Sequence, residues 1–253
     1  MLKPLIIGWR LLIILIIALV SALLSLTVFY LVPLKIWHKM IRIWSNLLIK
    51  ASGVKLKVSG QSNYDYLVKN HMLVANHMSW LDILILVSIH VTSFVAKAEI
   101  AKWPVINQIA KAGNTIFINR ENKRDILHAN QLISHELSAG KCVGLFPEGK
   151  INNGKELFLF KSPLLEAAIQ AKSKIIPIIL IYYRADGSFA EETLYYGRNL
   201  LQTVLNTLAG KNLTAHAFIL PTIDAQDFAS RHELALYLHQ QMNAVYEQKI
   251  KAA

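Results

Sequence analysis

From Leu11 to Val32 no residue is charged, and about 22 such residues are enough to cross a bilayer as a helix. Lys3 and Arg10 precede the run and Pro33 ends it. A signal peptide does not fit, because the apolar region is too long and no small-residue cleavage site follows. The tract from Pro4 to Pro33 either crosses as one helix or dips in and returns as a shallow hairpin. From Leu34 to Lys50 the pattern turns amphipathic. Lys35, His38, Lys39, Arg42, Ser45 and Asn46 recur at helical spacing, and Ile36, Trp37, Met40, Ile41, Trp44, Leu47 and Leu48 fill the opposite face. A basic face, an apolar face and two tryptophans predict a helix lying at headgroup level; a helix docked on the domain is the alternative. Residues 1–50 thus read as membrane anchor and interfacial helix, and residues 51–253 as one domain.

Beyond residue 50 the period shortens. Val54–Val58 alternates like an edge strand and ends at Ser59-Gly60. Met72–Ala75 is continuously apolar, as in a strand buried on both faces. Ser79 is placed to cap a helix carrying Trp80 to Leu86. Strands are expected at Ser93–Ala96, Thr115–Ile118, Val143–Phe146 and Ile175–Ile181. Helices are expected at Trp103–Ala112, Arg124–Ala139 and Pro163–Ala171. Past the turn at Arg184–Ser188, Ala215–Leu220 reads as a strand and Arg231–Lys251 as a terminal amphipathic helix. The alternation predicts an α/β domain with a mixed, mostly buried sheet covered by helices.

Composition narrows the function classes. The 253 residues carry a formal net charge of +11 at pH 7, with a mean hydropathy of +0.37. The basic balance implies an anionic partner, a phospholipid surface or an anionic substrate. Nucleic acid is excluded as a partner, because the basic residues punctuate apolar segments and form no binding motif. The single cysteine, Cys142, rules out an internal disulfide and reads as a small buried hydrophobe. The basic excess at Lys35, Lys39, Arg42 and Lys50 places the domain on the cytoplasmic side of the inner membrane. His71, His90, His128, His135, His216, His232 and His239 fall into no metal-ligand spacing, so no metal is expected.

The candidate chemistry lies in Val74-Ala75-Asn76-His77-Met78-Ser79-Trp80-Leu81-Asp82. His77 falls in a strand-to-helix turn, where open α/β sheets bind ligands, and Asp82 falls in the first turn of the helix. An imidazole there can take a proton from a hydroxyl while a carboxylate fixes its tautomer. Ser79 lacks the small-residue elbow of a hydrolase nucleophile.

Four stretches, in order, resemble the motifs of the glycerolipid acyltransferases, whose best-known members acylate 1-acylglycerol 3-phosphate. They are Asn76-His77-x4-Asp82, Gly113-x3-Phe117-Ile118-Asn119-Arg120, Phe146-Pro147-Glu148-Gly149 and Ile176-Pro177-Ile178. The resemblance runs from about Val54 to about Tyr183. It implies a membrane-bound O-acyltransferase of one acyltransferase domain, with acyl-CoA or acyl-ACP as co-substrate, a lysophospholipid acceptor and no cofactor. His77 would be the base and Asp82 its orienting partner. Asn76, Arg120, Glu148, Gly149, Lys150 and Lys97 would be substrate contacts, with Arg120 gripping an anionic head group bidentately. Phe117 and Pro177 read as structural.

Two departures bear on the acceptor. The family continues Phe-Pro-Glu-Gly with Thr-Arg-Ser, whereas this chain has Lys150-Ile151-Asn152, so an arginine is missing at Ile151. The family's Phe-Lys-x-Gly is Phe160-Lys161-Ser162-Pro163 here. A loop with Gly154, followed by Phe160-Lys161-Ser162 before an apolar helix, looks similar to the branch that acylates lyso-ornithine lipids, whose head group has no phosphate. The acceptor is therefore lysophosphatidate or a phosphate-free lysolipid. A membrane-tethered lipid-binding relative without turnover is the reading from another class, and a soluble thioester hydrolase is a third.

Overall fold

The computed structural model describes residues 2–27, 32–60, 69–102, 115–119 and 122–251. The helix expected at Trp103–Ala112, and Gly113 and Arg120 of the second motif, lie outside the described residues. Helix α1 (Leu2–Thr27) is continuous, so over these residues the chain does not fold back as a hairpin. Its Lys3–Ser21 stretch has a mean hydropathy of 2.4 with none of it buried, long and apolar enough to cross a membrane. Arg10 ties this helix to the rest of the chain. Its Nη1 donates to the carbonyls of Leu208 and Gly210 at 2.7 and 2.8 Å, at the C-terminal end of a helix that needs such donors. The same guanidinium covers Gly53, whose φ of +80° makes the turn into the first strand and where a Cβ would collide with Arg10.

Helix α2 (Leu34–Ala51) has a cationic face, but its apolar positions divide in two. Trp37, Leu48 and Ile49, with Ser45 between them, are buried, whereas Ile36, Ile43 and Leu47 are about half exposed. One stripe docks on the domain, as the alternative reading of this helix has it, and a second stays outward. The docked stripe packs on α3 (Leu81–Ile89), where Arg42 Nε donates to the Ser88 carbonyl at 3.1 Å. α3 is apolar on nearly every side, as expected of a helix enclosed between another helix and a sheet.

The strands are β1 (Val54–Gly60), β2 (His71–Ala75), β3 (Ser93–Lys97), β4 (Ile116–Ile118), β5 (Cys142–Leu145), β6 (Lys174–Tyr183), β7 (Leu213–Ile219) and β8 (Ile223–Asp224). They form one sheet in the order β1-β7-β6-β2-β5-β3-β4, with β8 also on β6. The β6–β7 and β6–β8 pairs are antiparallel and the rest parallel, which makes the sheet mixed as expected. β2 is central, flanked by β5 and β6 and buried at all of its positions. That position explains its continuous apolar run. Pro177 is tolerated in β6 because the strand changes partner there, from β8 at Ile175 to β7 at Ile178. Its carbonyl still accepts from Leu220 N at 2.9 Å, so the proline forgoes only one bond, at the end of the β6–β7 ladder.

Helices α4 (Lys123–Ser138), α5 (Glu166–Gln170, entered through a 3-10 turn at Pro163–Leu165) and α7 (Arg231–Lys251) lie close to their expected bounds. Between them is α6 (Leu200–Ala209), to which Arg10 binds and which the apolar pattern did not single out. Its signal was present: Asn199 and Gln202 form a reciprocal capping box.

Candidate active site

The β2 strand ends at Ala75, and the chain turns through Asn76–Trp80 before α3 begins. His77 occupies this turn. Its Nδ1 donates to Asp82 Oδ2 at 2.8 Å, which leaves Nε2 as the nitrogen able to accept a proton. The histidine side chain is 21% exposed and the aspartate 0%, so the pair is buried on the carboxylate side and open on the imidazole side. The Phe146 ring stacks on the imidazole with centroids 4.2 Å apart, fixing its plane.

Asp82 does more than orient. Its Oδ2 also accepts from the backbone N–H groups of Met78 and Ser79, both at 2.7 Å. The cap expected from Ser79 is not made: the helix begins after Trp80 with no side-chain cap bond, and the Ser79 hydroxyl accepts from Leu81 N at 3.4 Å. Oδ1 accepts from the Tyr182 hydroxyl at 2.5 Å. Tyr182 belongs to β6, is fully buried, and was missed by the sequence reading, since one apolar strand residue looks like any other.

Glu148 follows β5 and lies on the other side of His77. It is 1% exposed. Oε1 accepts from His77 N and Asn152 Nδ2, each at 3.0 Å, and Oε2 accepts from Phe158 N at 2.9 Å. Burial raises its carboxyl above the usual range, and the Phe158, His77 and Asn152 donors oppose that. Glu148, expected as a substrate contact, ties the turn that carries His77 to the loop after β5. Asn152 adds a second tie by donating its backbone N–H to the His77 carbonyl at 2.8 Å. Asn76, also expected as a substrate contact, is fully buried. Its amide donates to Leu180 O at 2.9 Å and accepts from Leu180 N at 2.7 Å, which pins the turn to β6.

The other expected contacts lie at the rim. Gly149 has a φ of +69°, and a Cβ there would come within 2.9 Å of Lys161 Cδ, so only glycine lets that lysine lie across the turn. Lys150 Nζ sits 4.0 Å from the Phe158 ring centroid. Lys97 is exposed where β3 ends, in register with Ile118 at the end of β4. Beside these residues a cavity of about 110 Å³ is lined by Ile118, Ile126, Leu145, Phe146, Pro147, Gly149, Lys161, Pro163 and Leu164. It is an apolar pocket with a cation among its walls.

At the opposite end of the same strands the fold gathers His71, His90 and Cys142, which the linear spacing separates. Their ligand atoms lie within 4.8 Å of one another. A tetrahedral zinc site has ligand–ligand edges of about 3.5 Å and four donors. This set supplies three donors, and the two imidazoles meet edge to face at 4.7 Å.

Residues 55–181 match the family model described as Acyltransferase. A 1-acyl-sn-glycerol-3-phosphate acyltransferase of Neisseria meningitidis serogroup B is 32% identical over 174 residues, covering 69% of this chain and 68% of that one. A lyso-ornithine lipid O-acyltransferase of Pseudomonas aeruginosa is 32% identical over 200 residues, covering 78% and 74%. The chain belongs to the acyltransferase family, and it is an acyltransferase enzyme. Its fold is that of the crystal structure of the 1-acyl-sn-glycerophosphate acyltransferase PlsC from Thermotoga maritima, with a TM-score of 0.77 at 20% identity over 99% of this chain and 97% of that one.

Proposed function

We propose that this enzyme is a membrane-bound O-acyltransferase that moves a fatty acyl group from acyl-CoA or acyl-ACP to a lysolipid hydroxyl. The observation that carries the reading is the imidazole of His77, tethered through Nδ1 to buried Asp82 and open at Nε2. In the reaction Nε2 takes the proton of the acceptor hydroxyl as its oxygen attacks the thioester carbonyl. Asp82 stabilises the imidazolium that forms. The tetrahedral intermediate then expels the thiolate, which recovers the proton from His77. No acyl-enzyme is needed, because the acceptor supplies the nucleophile.

The acceptor assigned first is 1-acyl-sn-glycerol 3-phosphate, giving phosphatidic acid. The named activity of the Neisseria relative supports it, as do cations around the mouth of the site. Lys97 and Lys150 are exposed there. A phosphate-free lyso-ornithine lipid is the second reading, favoured by Ile151 at the position where the family has an arginine and by the named activity of the Pseudomonas relative. Membrane attachment is supported by the unburied apolar stretch of α1 and the outward apolar stripe of α2. We place the domain on the cytoplasmic side of the inner membrane, where acyl-CoA and acyl-ACP are found.

The test is acyl transfer by the purified enzyme from labelled acyl-CoA and acyl-ACP to a panel of phosphate-bearing and phosphate-free lysolipids. Transfer to lysophosphatidate at the highest kcat/KM supports the first reading, and preference for lyso-ornithine lipid supports the second. No transfer to any lysolipid ends both.

A further inference from the structure

We propose that Tyr182 is a positioning residue of the acyl transfer, holding the Asp82 carboxylate so that it orients His77 without taking its proton. The inference rests on the assignment of His77 as the base. Asp82 is enclosed, and three of its four hydrogen bonds fall on one oxygen: His77 Nδ1, Met78 N and Ser79 N all donate to Oδ2. The donor to Oδ1 is the Tyr182 hydroxyl. A carboxylate bonded through one oxygen can still pivot about that oxygen, whereas a donor on the second oxygen fixes its plane.

The phenol is well suited to this. Its side chain is fully buried, and its hydroxyl donates its proton to Asp82 Oδ1, which links Tyr182 through Asp82 to His77. Burial and the nearby Asp82 charge push the Tyr182 hydroxyl well above its ordinary range, so it stays protonated and donating wherever the enzyme works. Its backbone is fixed on both sides, paired in register with Ala215 and accepting from Ala190 N at 2.9 Å.

Removing the donor has two separable consequences. The carboxylate gains mobility, which lowers kcat. Its charge is also less dispersed, so it attracts the imidazolium more strongly, and His77 stays protonated to a higher pH. Other titratable groups facing the centre are Glu148, bonded to His77 N from the loop after β5, and Tyr246 of α7. The substitution leaves both in place.

The experiment is the pH dependence of kcat and kcat/KM, with acyl-CoA and lysolipid, for the full-length enzyme in detergent. It compares wild type, Tyr182→Phe, the enzyme with 3-fluorotyrosine installed at position 182, and His77→Ala. Tyr182→Phe is expected to lower kcat by about 10- to 100-fold with lysolipid KM within about twofold, and to move the acidic limb of kcat/KM upward by about 0.5 to 1 in pH. The fluorinated phenol, a stronger donor of nearly the same shape, is expected to move the limb downward by less, and it carries the test if Tyr182→Phe does not fold. The proposal is overturned if the limb stays at its wild-type position in the folded variants, even where kcat or thermal stability falls. Turnover by His77→Ala would instead remove the base assignment itself.

Discussion

Strands β2 and β5 each begin at a residue capable of chemistry and are followed by another in the turn beyond, yet their two ends behave differently. At the amino ends, His71 and Cys142 are register partners, buried to 0% and 3% exposure. Burial pushes the Cys142 thiol up to about 12. At the carboxyl ends, the chain leaves the sheet through turns, and the backbone N–H groups of His77, Met78 and Ser79 are aimed at carboxylates. Those donors stabilise two buried acids beside an imidazole that remains open. Residue type alone does not make a site. What separates the two ends is where strands part into turns and a helix begins, because only there are main-chain donors released from the ladder.

The difference can be broken most forcefully at His77. Replacing it with alanine is expected to lower the transfer rate by about 10³- to 10⁴-fold, measured as label transferred from acyl-CoA to lysolipid. Next in size is Glu148→Ala. Three donors lose their acceptor, so stability should fall by about 2–4 kcal/mol. The turn shifts with them, lowering kcat by about 100-fold. Urea unfolding read beside the rate checks both, and a variant with normal stability would return Glu148 to the substrate side. Lys150 lies farther out, over the Phe158 ring. Lys150→Ala should raise lysolipid KM by about 3- to 10-fold with kcat near wild type, as Michaelis plots at saturating acyl-CoA would show.

The amino ends should respond least. Cys142→Ala is expected to keep the rate within about twofold while costing about 1 kcal/mol of stability. A thiolate is the reactive form of cysteine, and a thiol pushed up to about 12 is protonated at neutral pH. Native Cys142 should therefore resist iodoacetamide from pH 7 to 9 and react promptly once the protein is unfolded, as mass spectrometry would show. Dialysis against a chelator should leave the rate unchanged.

How much of this was legible in the sequence depended on how far each contact reaches along the chain. His77 and Asp82 are five positions apart, so their pairing follows from one turn leading into one helix. Glu148 was found as a motif residue, but the tie it makes was not. Its partners His77, Asn152 and Phe158 include one that is 71 positions away. The tie of Asn76 was hidden for the same reason, its partner Leu180 being 104 positions away on β6. Tyr182 was invisible because β6 is buried along nearly its whole length, so no polar–apolar alternation marks the residue that points at the site. The strands were close to their bounds, since continuous apolar runs bounded by turns survive in any register. Helix α6 was overlooked for want of weight given to Asn199 and Gln202, a signal that was local and readable.

The account stands on the bond between His77 Nδ1 and Asp82. Its most direct test is Asp82→Asn, assayed for transfer and, separately, for lysolipid binding in the absence of donor. A fall in kcat of about 10⁴-fold with acceptor affinity within about twofold is expected, because the amide can no longer hold the imidazole in its reactive tautomer. Transfer at close to the wild-type rate would contradict the account.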